Sequence, residues 1–320
     1  MKRAGLRVSI VGVRLAGLSP RNGMPSPNET APVVLFDTYS LLFRAHHALP
    51  PMNTERGEPT SALYGFSTQL LKILREKRPS GIAFAVDAPQ ATFRHERYTE
   101  YKAHRDTAPS ALVEQLRRLG ALLECLEVPV FKVPGFEADD VLATLAHDRA
   151  GAGPTLIVSG DRDLLQLVTS EVHVWFIGGR GQKPTLYDLA RVHERFDLPP
   201  EKLPSFVALV GDASDNLPGL SGVGPRTASR LIREHGSISE LLRALPRVTP
   251  DKLRDAIRDG AEQLQLNEEL ARLRTDVPLP DGPRAAPLGP EGVARLGQFF
   301  EALEFKSLLP RLAALAAAAE

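Results

Sequence analysis

The sequence contains a single cysteine in 320 residues, which excludes an intrachain disulfide and a cysteine-rich zinc site. That one thiol, Cys125, fits a reducing compartment, so we expect a cytoplasmic protein. No run of about 18 apolar residues is present, and we therefore expect no membrane-spanning helix. The pattern GxxxxGK(S/T) is also missing, which excludes a P-loop nucleotide hydrolase.

Neither sign of charge is in excess, since Lys plus Arg and Asp plus Glu both total 39. If such a chain binds nucleic acid, its basic groups must be gathered locally rather than spread over the surface. Apolar content of 43% and charged content of 24% are typical of a globular protein. The length is sufficient for two domains, each with its own core.

Short β-rich runs alternate with amphipathic segments in the first half of the chain. We predict strands over residues 33–37, 82–87, 128–133, 155–159 and 172–177, and helices over 61–77, 110–126, 138–149 and 162–168. Strands separated by helices of this length predict an α/β fold with a mostly parallel sheet covered on both faces. From about residue 187 helical patterns dominate, which predicts a second, all-helical region.

Acidic residues collect where the predicted strands end. Strands 33–37 and 82–87 finish on acids, strand 128–133 is followed by "GFEADD", and strand 155–159 runs into "SGDRD". A further pair lies in "GDASDN". Each acid alone is most simply explained as a helix N-cap, but all nine together are not. The nine candidates are Asp37, Asp87, Glu137, Asp139, Asp140, Asp161, Asp163, Asp212 and Asp215.

In an open parallel sheet, ligands bind outside the carboxyl ends of the strands, where these acids are expected to meet. Oxygen ligands with no nearby His or Cys favour hard cations, namely Mg²⁺ or Mn²⁺. Two such ions about 4 Å apart can activate a water and stabilise the leaving oxygen of a phosphodiester. The pattern therefore predicts a two-metal site, with Mn²⁺ able to replace Mg²⁺.

The segment "TFRHERYTEYKAHR" (92–105) interleaves cations with aromatic rings, a composition typical of single-stranded nucleic-acid binding. As one continuous helix, it would place Arg94, Tyr98, Tyr101 and Arg105 on a single face. The alternative is a solvated basic helix whose rings pack on the domain.

The stretch "PGLSGVGPRTASRL" (218–231) combines two glycines that permit a tight turn with a proline suited to the first position of a helix. Free amides at such a helix start can contact phosphates. The pattern is typical of a helix–hairpin–helix that grips duplex backbone without reading sequence.

Taken together, these motifs resemble the structure-specific 5′ nucleases, and most closely the 5′→3′ exonuclease domain found at the N-terminus of bacterial DNA polymerase I. The matching segments include "VDAPQATFRHERYTEYKAHR", "VPGFEADDVLATLA", "SGDRDLLQLV" and "LVGDASDNLPGLSGVGPRTA", and they cover about 33–277. The resemblance implies a PIN-like catalytic domain over 31–186, with a helical arch at about 90–108 that threads single strands. It also implies a duplex-binding helical domain over 187–275 that can hold K⁺. We expect residues 1–30 to be a disordered extension and 276–320 a linker with C-terminal helices.

The resemblance also assigns roles to individual residues. It assigns all nine acids to metal binding, and Lys102 and Arg94 to the arch that acts on the scissile phosphate. The DNA contacts that it implies are Arg44, Arg97, Tyr101, Arg105, Gly219, Gly222, Gly224, Arg226 and Thr227.

We therefore expect a stand-alone, monomeric nuclease that removes 5′ flaps or nucleotides from DNA during replication and repair. It would act at the nucleoid beside a DNA polymerase and a ligase. Three alternatives remain open. A non-catalytic DNA-binding module of the same fold would lack some of the acids, and a PIN-type ribonuclease would not need an arch and a duplex-binding hairpin. A haloacid-dehalogenase-type phosphatase needs an acid where Tyr39 stands.

Overall fold

A computed structural model describes residues 31–105, 107–280 and 285–317. The predicted N-terminal extension, residues 1–30, lies outside the described residues. Six strands form one sheet in the order β3-β2-β1-β4-β5-β6. The strands are β1 (Val33–Asp37), β2 (Gly81–Ala85), β3 (Val130–Phe131), β4 (Thr155–Ser159), β5 (Val172–Phe176) and β6 (Thr185–Tyr187). The first five are mutually parallel, which confirms the predicted α/β class.

The short antiparallel edge strand β6 pairs with β5 and was not predicted. Its three residues are too few to give a periodic signal of their own. Strand β3 is likewise shorter than the six residues predicted for it.

Helices cover both faces of the sheet and form the second half of the chain. They are α1 (Thr38–Ala48), α2 (Ser61–Lys77), α3 (Phe93–Arg97), α4 (Ser110–Leu126), α5 (Ala138–Asp148), α6 (Leu189–Phe196), α7 (Leu203–Val210), α8 (Pro225–His235), α9 (Ile238–Arg243), α10 (Asp251–Asp259), α11 (Ala261–Ala271), α12 (Pro290–Ala302) and α13 (Leu309–Ala317). Short 3₁₀ helices lie at Asp163–Leu167, Pro200–Lys202 and Leu245–Arg247. No helix in these described ranges is long and apolar enough to cross a membrane.

Alternate residues of each strand pack on opposite faces of the sheet, so the core is divided between the two faces. In β1, Val34 and Phe36 belong to the cluster that packs on α1, α2 and α4, whereas Val33 and Leu35 belong to the cluster beneath α5. Successive residues of a strand point to opposite faces, so a sheet covered on both sides needs apolar residues at every position. This arrangement leaves the ends of the strands as the place for polar groups.

The C-terminal helices are part of the main core. Phe300 of α12 is fully buried beside Phe305, and Leu308 and Leu312 belong to the same apolar cluster as β1 and β2. Before α12, Ala286 exchanges two backbone hydrogen bonds with Ile82 of β2. The segment after the Pro/Gly-rich stretch therefore contributes directly to the catalytic half of the fold.

The continuous helix considered for 92–105 does not form. Helix α3 ends at Arg97, Tyr98 adopts an extended conformation, and residues 99–104 form turns. Lys102 has a positive φ of 55°, which no α-helix accommodates. The predicted single face is therefore wrong: Arg94 and Tyr101 are buried, while Arg105 remains exposed.

Candidate active site

The acids of the first four strands meet at the carboxyl edge of the sheet. Asp37 is the last residue of β1, Asp87 follows β2, and Asp161 follows β4. Together with Glu137 and Asp139 at the start of α5, they line one cleft of about 750 Å³, which we call the acidic cleft. Parallel strands point their carboxyl ends the same way, so residues from four distant parts of the chain converge here.

Asp37 has two roles at this edge. Its carboxylate accepts a hydrogen bond from the Ser40 amide at 3.3 Å and so caps α1, while the Ser159 hydroxyl donates to its other oxygen at 2.5 Å. Burial raises the pKa of Asp37 to about 7. The charges of Asp161 and Asp87 act in the same direction. The N-cap explanation is thus correct but incomplete.

Asp139 and Asp163 lack compensating contacts. In the part of the chain that the structure describes, neither carboxylate accepts a hydrogen bond or pairs with a cation. Burial raises the pKa of both well above the usual range, and the charge of Asp161 contributes to each shift. These groups lie where extra positive charge would be most favourable.

Three of the nine acids already have cationic partners. Asp140, which is fully buried, binds the Arg94 guanidinium in two parallel hydrogen bonds of 2.6 and 2.8 Å. Glu137 pairs with Lys102 at 2.7 Å, and Asp215 pairs with Arg105 at 2.8 Å. The acids therefore divide into a compensated group and an uncompensated group.

Arg94 is buried behind the acidic cleft, where it also lies 3.3 Å from Glu137. Its side chain is 1% exposed, and its remaining N–H groups donate to the carbonyls of Leu270 and Arg272. Asp140 also accepts from the Arg274 amide. The structure therefore gives the Arg94–Asp140 pair a structural position that ties α3 and α5 to the end of α11, rather than the predicted places at phosphate and metal.

Tyr101 is similarly occupied. Only 2% exposed, its hydroxyl donates to Asp215 at 2.7 Å and to Glu137 at 3.1 Å. Its ring is thus unavailable for stacking on a base, contrary to the predicted DNA contact. Arg97 pairs with Glu269 on the surface at 3.1 Å.

Lys102 lines the acidic cleft and keeps its charge there. Burial opposes that charge, but Glu137 and Asp215 more than offset it and raise the pKa of Lys102. Conversely, although burial opposes it, Lys102 and Arg94 lower the pKa of Glu137. Lys102 is therefore a cation fixed at the edge of the uncompensated acids.

Helix α1 supplies cleft residues that sequence reasoning missed. Tyr39, Phe43 and His47 recur every four residues and all line the acidic cleft, where Phe43 is 36% exposed. Their spacing is the signal that could have identified them, since i, i+4 and i+8 share a helix face. The predicted Arg44 lies beside them, donates to the Gly160 carbonyl and stands over the Phe176 ring.

The predicted hairpin forms between α7 and α8. Gly222 has a φ of +79°, and Gly224 precedes Pro225 at the first turn of α8. A side chain at Gly224 would meet no atom within 4 Å, so its backbone is open to a ligand. Arg226 is exposed and Thr227 partly exposed at the same helix start. Gly219 differs, because an added Cβ would strike the Val210 carbonyl, so packing alone requires glycine there.

Asp212 and Asp215 lie on the turn that precedes this hairpin. The Asp212 and Leu217 backbones exchange hydrogen bonds, and the Asp212 carboxylate accepts from the Ser214 amide. Both acids add to the negative potential that raises the pKa of Asp163. The predicted pair is thus brought to the acids of β4.

The donor set fits a hard divalent cation. Within the described ranges, no three acidic, histidine or cysteine side chains lie close enough together to hold one ion unaided. Mg²⁺ does not need such a cage, because it usually takes one or two carboxylates and completes its shell with water and substrate phosphate. Asp37 and Asp139 in the acidic cleft, and Asp163 next to Asp161, offer carboxylate oxygens of this kind.

A parallel α/β sheet with carboxylates gathered at its strand ends is an arrangement suited to metal-assisted hydrolysis of phosphate esters. Two family models match the chain: the 5'-3' exonuclease N-terminal resolvase-like domain over residues 32–197, and the 5'-3' exonuclease C-terminal SAM fold over 198–291. The chain belongs to the 5'-3' exonuclease family, which confirms the predicted nuclease class.

Among curated relatives, DNA polymerase I of Mycobacterium tuberculosis is 40% identical over 292 residues, which are 90% of this chain and 32% of that protein. Thermostable DNA polymerase I of Thermus thermophilus is 42% identical over 289 residues, 90% of this chain and 34% of that protein. The chain thus spans about a third of the length of these relatives.

Two solved structures share the fold. T5 5'-exonuclease with bound zinc aligns with a TM-score of 0.63 and 23% identity, covering 89% of this chain and 99% of that one. Human GEN1 in complex with Holliday junction DNA aligns with a TM-score of 0.59 and 16% identity, covering 88% and 71%.

Proposed function

We propose that this chain is a Mg²⁺-dependent 5′→3′ exonuclease and 5′-flap endonuclease that hydrolyses phosphodiester bonds in DNA. The observation that carries the proposal is that Asp37 and Asp139 meet in the acidic cleft and that Asp163 follows two residues after the cleft residue Asp161, with no cation paired to any of these acids in the described ranges. Two ions, replaceable by Mn²⁺, would be held by these acids with Asp87, Asp161 and Asp212. Bound there, they would supply an activated water and stabilise the leaving oxygen.

The chain's own residues would position the DNA. Lys102 and Arg105 present cations at the cleft edge, and the exposed ring of Phe43 offers a stacking surface for a base. The hairpin at 219–225 would hold the duplex backbone, with K⁺ as a further ligand between peptide and phosphate. We propose that the protein acts as a monomer in the cytoplasm at the nucleoid, in primer or flap removal alongside a DNA polymerase and a ligase.

A labelled substrate tests this function. A duplex carrying a 5′-labelled flap, incubated with the protein and Mg²⁺, should yield products whose size shows cleavage at or near the junction. Addition of EDTA should stop the reaction, and Mn²⁺ should restore it. Tight duplex binding without cleavage in either metal would instead favour a non-catalytic DNA-binding module.

Gly224→Asp should weaken duplex binding by about tenfold, because it places a negative charge where phosphate approaches the start of α8. The fold should survive, since the new side chain has open space around it and φ is −92°. Gly224→Ala is the matched control, which adds bulk without charge and should bind much more tightly than the Asp variant. The two measurements are duplex affinity at several salt concentrations and melting temperature. Equal affinity of wild type and Gly224→Asp would move the duplex contact elsewhere.

A further inference from the structure

A second cleft is lined by two of the candidate metal acids, Asp163 and Asp212. It has a volume of about 410 Å³ and is lined in part by Arg162, Asp163, Arg195, Asp212, Pro225 and Ser229. We call it the side cleft. It is bounded by the 3₁₀ helix after β4, the end of α6 and the first turn of α8. It therefore connects the acids of the catalytic half with the duplex-binding hairpin.

Two arginines supply the cations of this cleft, whose lining also holds Asp163 and Asp212. Arg162 stands between Asp161 and Asp163 in sequence, but its own side chain is exposed. Arg195 is also exposed, and it is steadied by a 3.1 Å hydrogen bond to the Tyr187 hydroxyl and by the Phe196 ring. Within residues 31–105, 107–280 and 285–317, neither arginine pairs with a carboxylate. Both guanidinium groups are thus free for an external anion.

The cations of the predicted arch differ from these two arginines in their partners. Arg94, Lys102 and Arg105 are each bound to an acid of the protein itself. A phosphate approaching them must compete with those ion pairs, whereas a phosphate approaching Arg162 or Arg195 meets no such ion pair within the described residues. An exposed arginine fork matches a phosphate in two parallel hydrogen bonds, which makes it a strong and specific partner.

The two clefts adjoin at the acids. Asp161 lines the acidic cleft, and Asp163, two residues on, lines the side cleft. A strand whose scissile phosphate lies at these acids would therefore pass Arg162 and Arg195 on its way toward α8. On the basis of the proposed nuclease function, we propose that Arg162 and Arg195 bind backbone phosphates of the cut strand on the duplex side, 3′ of the scissile bond.

Binding and kinetics of Arg162→Ala and Arg195→Ala test this assignment. With Ca²⁺ in place of Mg²⁺, each variant should bind flap DNA about tenfold more weakly, as expected for one lost charge-assisted contact. The slope of log affinity against log salt should fall by about 0.9 for each arginine removed. In Mg²⁺, KM should rise while kcat stays within about twofold. Arg162→Lys should keep most of the salt slope, because it keeps the charge.

Arg117→Ala, which removes an exposed arginine from α4, is the matched control and should change neither affinity nor slope. A single methylphosphonate, placed in turn at each phosphate of the cut strand, should locate the contact. At one position 3′ of the scissile bond, the neutral linkage should weaken wild type but leave Arg162→Ala unaffected. An unchanged salt slope, or a fall in kcat at constant KM, would overturn the assignment. Failure of wild type to cut would contradict the proposed nuclease function instead, while the salt slopes would still test the phosphate contacts.

Discussion

Asp163→Asn and Asp139→Asn should each lower the rate of DNA cleavage in Mg²⁺ by roughly three orders of magnitude. Asn is nearly isosteric with Asp but neutral, so the change removes charge from the proposed metal site and leaves its shape. In the proposed mechanism, the metal ions that these acids help to hold would activate the attacking water. Single-turnover rates on flap DNA at saturating enzyme measure the effect. Full-speed cleavage by Asp163→Asn would contradict the two-metal mechanism.

The same variants should be at least as stable as the metal-free wild type. The raised pKa of Asp139 and Asp163 means that folding disfavours their charged forms, so wild-type stability falls as pH rises above about 3.8, their unperturbed value. The advantage of the Asn variants should therefore be present at pH 7 and vanish below pH 4. Melting temperatures across this range, measured in EDTA, give the answer. If either residue served mainly as a helix cap, stability would instead fall by about 1 kcal/mol.

Asp140→Asn, one position further along the chain, is expected to lower the stability of the protein instead. The Asp140 carboxylate makes both short hydrogen bonds to the buried Arg94 guanidinium, so the substitution leaves Glu137, 3.3 Å away, as the one carboxylate partner of Arg94 among the described residues. Breaking a buried pair in this way costs about 3 kcal/mol or more. If Asp139→Asn and Asp140→Asn had equal effects on cleavage rate and melting temperature, the division into compensated and uncompensated acids would have no functional meaning.

Much of this site follows from local sequence. Asp37 ends one apolar run and Asp161 follows another, and both runs are predicted to be buried strands. Parallel topology then brings the two carboxylates together. The positive φ at Gly222 follows from the same kind of local argument, since glycine adopts it without strain. Features of this type need no knowledge of distant partners.

Contacts between distant residues are what the sequence did not reveal. Asp140 looks like its neighbour Asp139 in "EADD", and only the position of Arg94, 46 residues earlier, makes it structural. Tyr101 resembles a stacking ring until its hydroxyl is seen to hydrogen-bond to Glu137 and Asp215. The role of a charged residue depends on the groups that it contacts. The periodicity of one segment gives no information about contacts with distant segments.

Lys102→Ala should slow cleavage by about two orders of magnitude. Its ammonium group lies 2.7 Å from Glu137 and 3.7 Å from Asp215, at the edge of the acidic cleft. From there it can stabilise charge that develops on the scissile phosphate, and removal of one such stabiliser typically costs a hundredfold or more. Duplex affinity should change far less, because the proposed duplex contacts lie at the hairpin and the side cleft.

A purely structural role for Lys102 predicts something different. Loss of its charge would leave Glu137 and Asp215 without one cationic partner and would lower the melting temperature. The cleavage rate of the folded protein at saturating substrate would stay normal. Measuring kcat, Kd and melting temperature on the same preparation separates the two roles. Lys306→Ala, which removes an exposed lysine between α12 and α13, should match wild type in all three. A wild-type kcat in Lys102→Ala would show that this lysine takes no part in the chemical step. A hundredfold loss of kcat with unchanged Kd would show that its ammonium group stabilises the transition state.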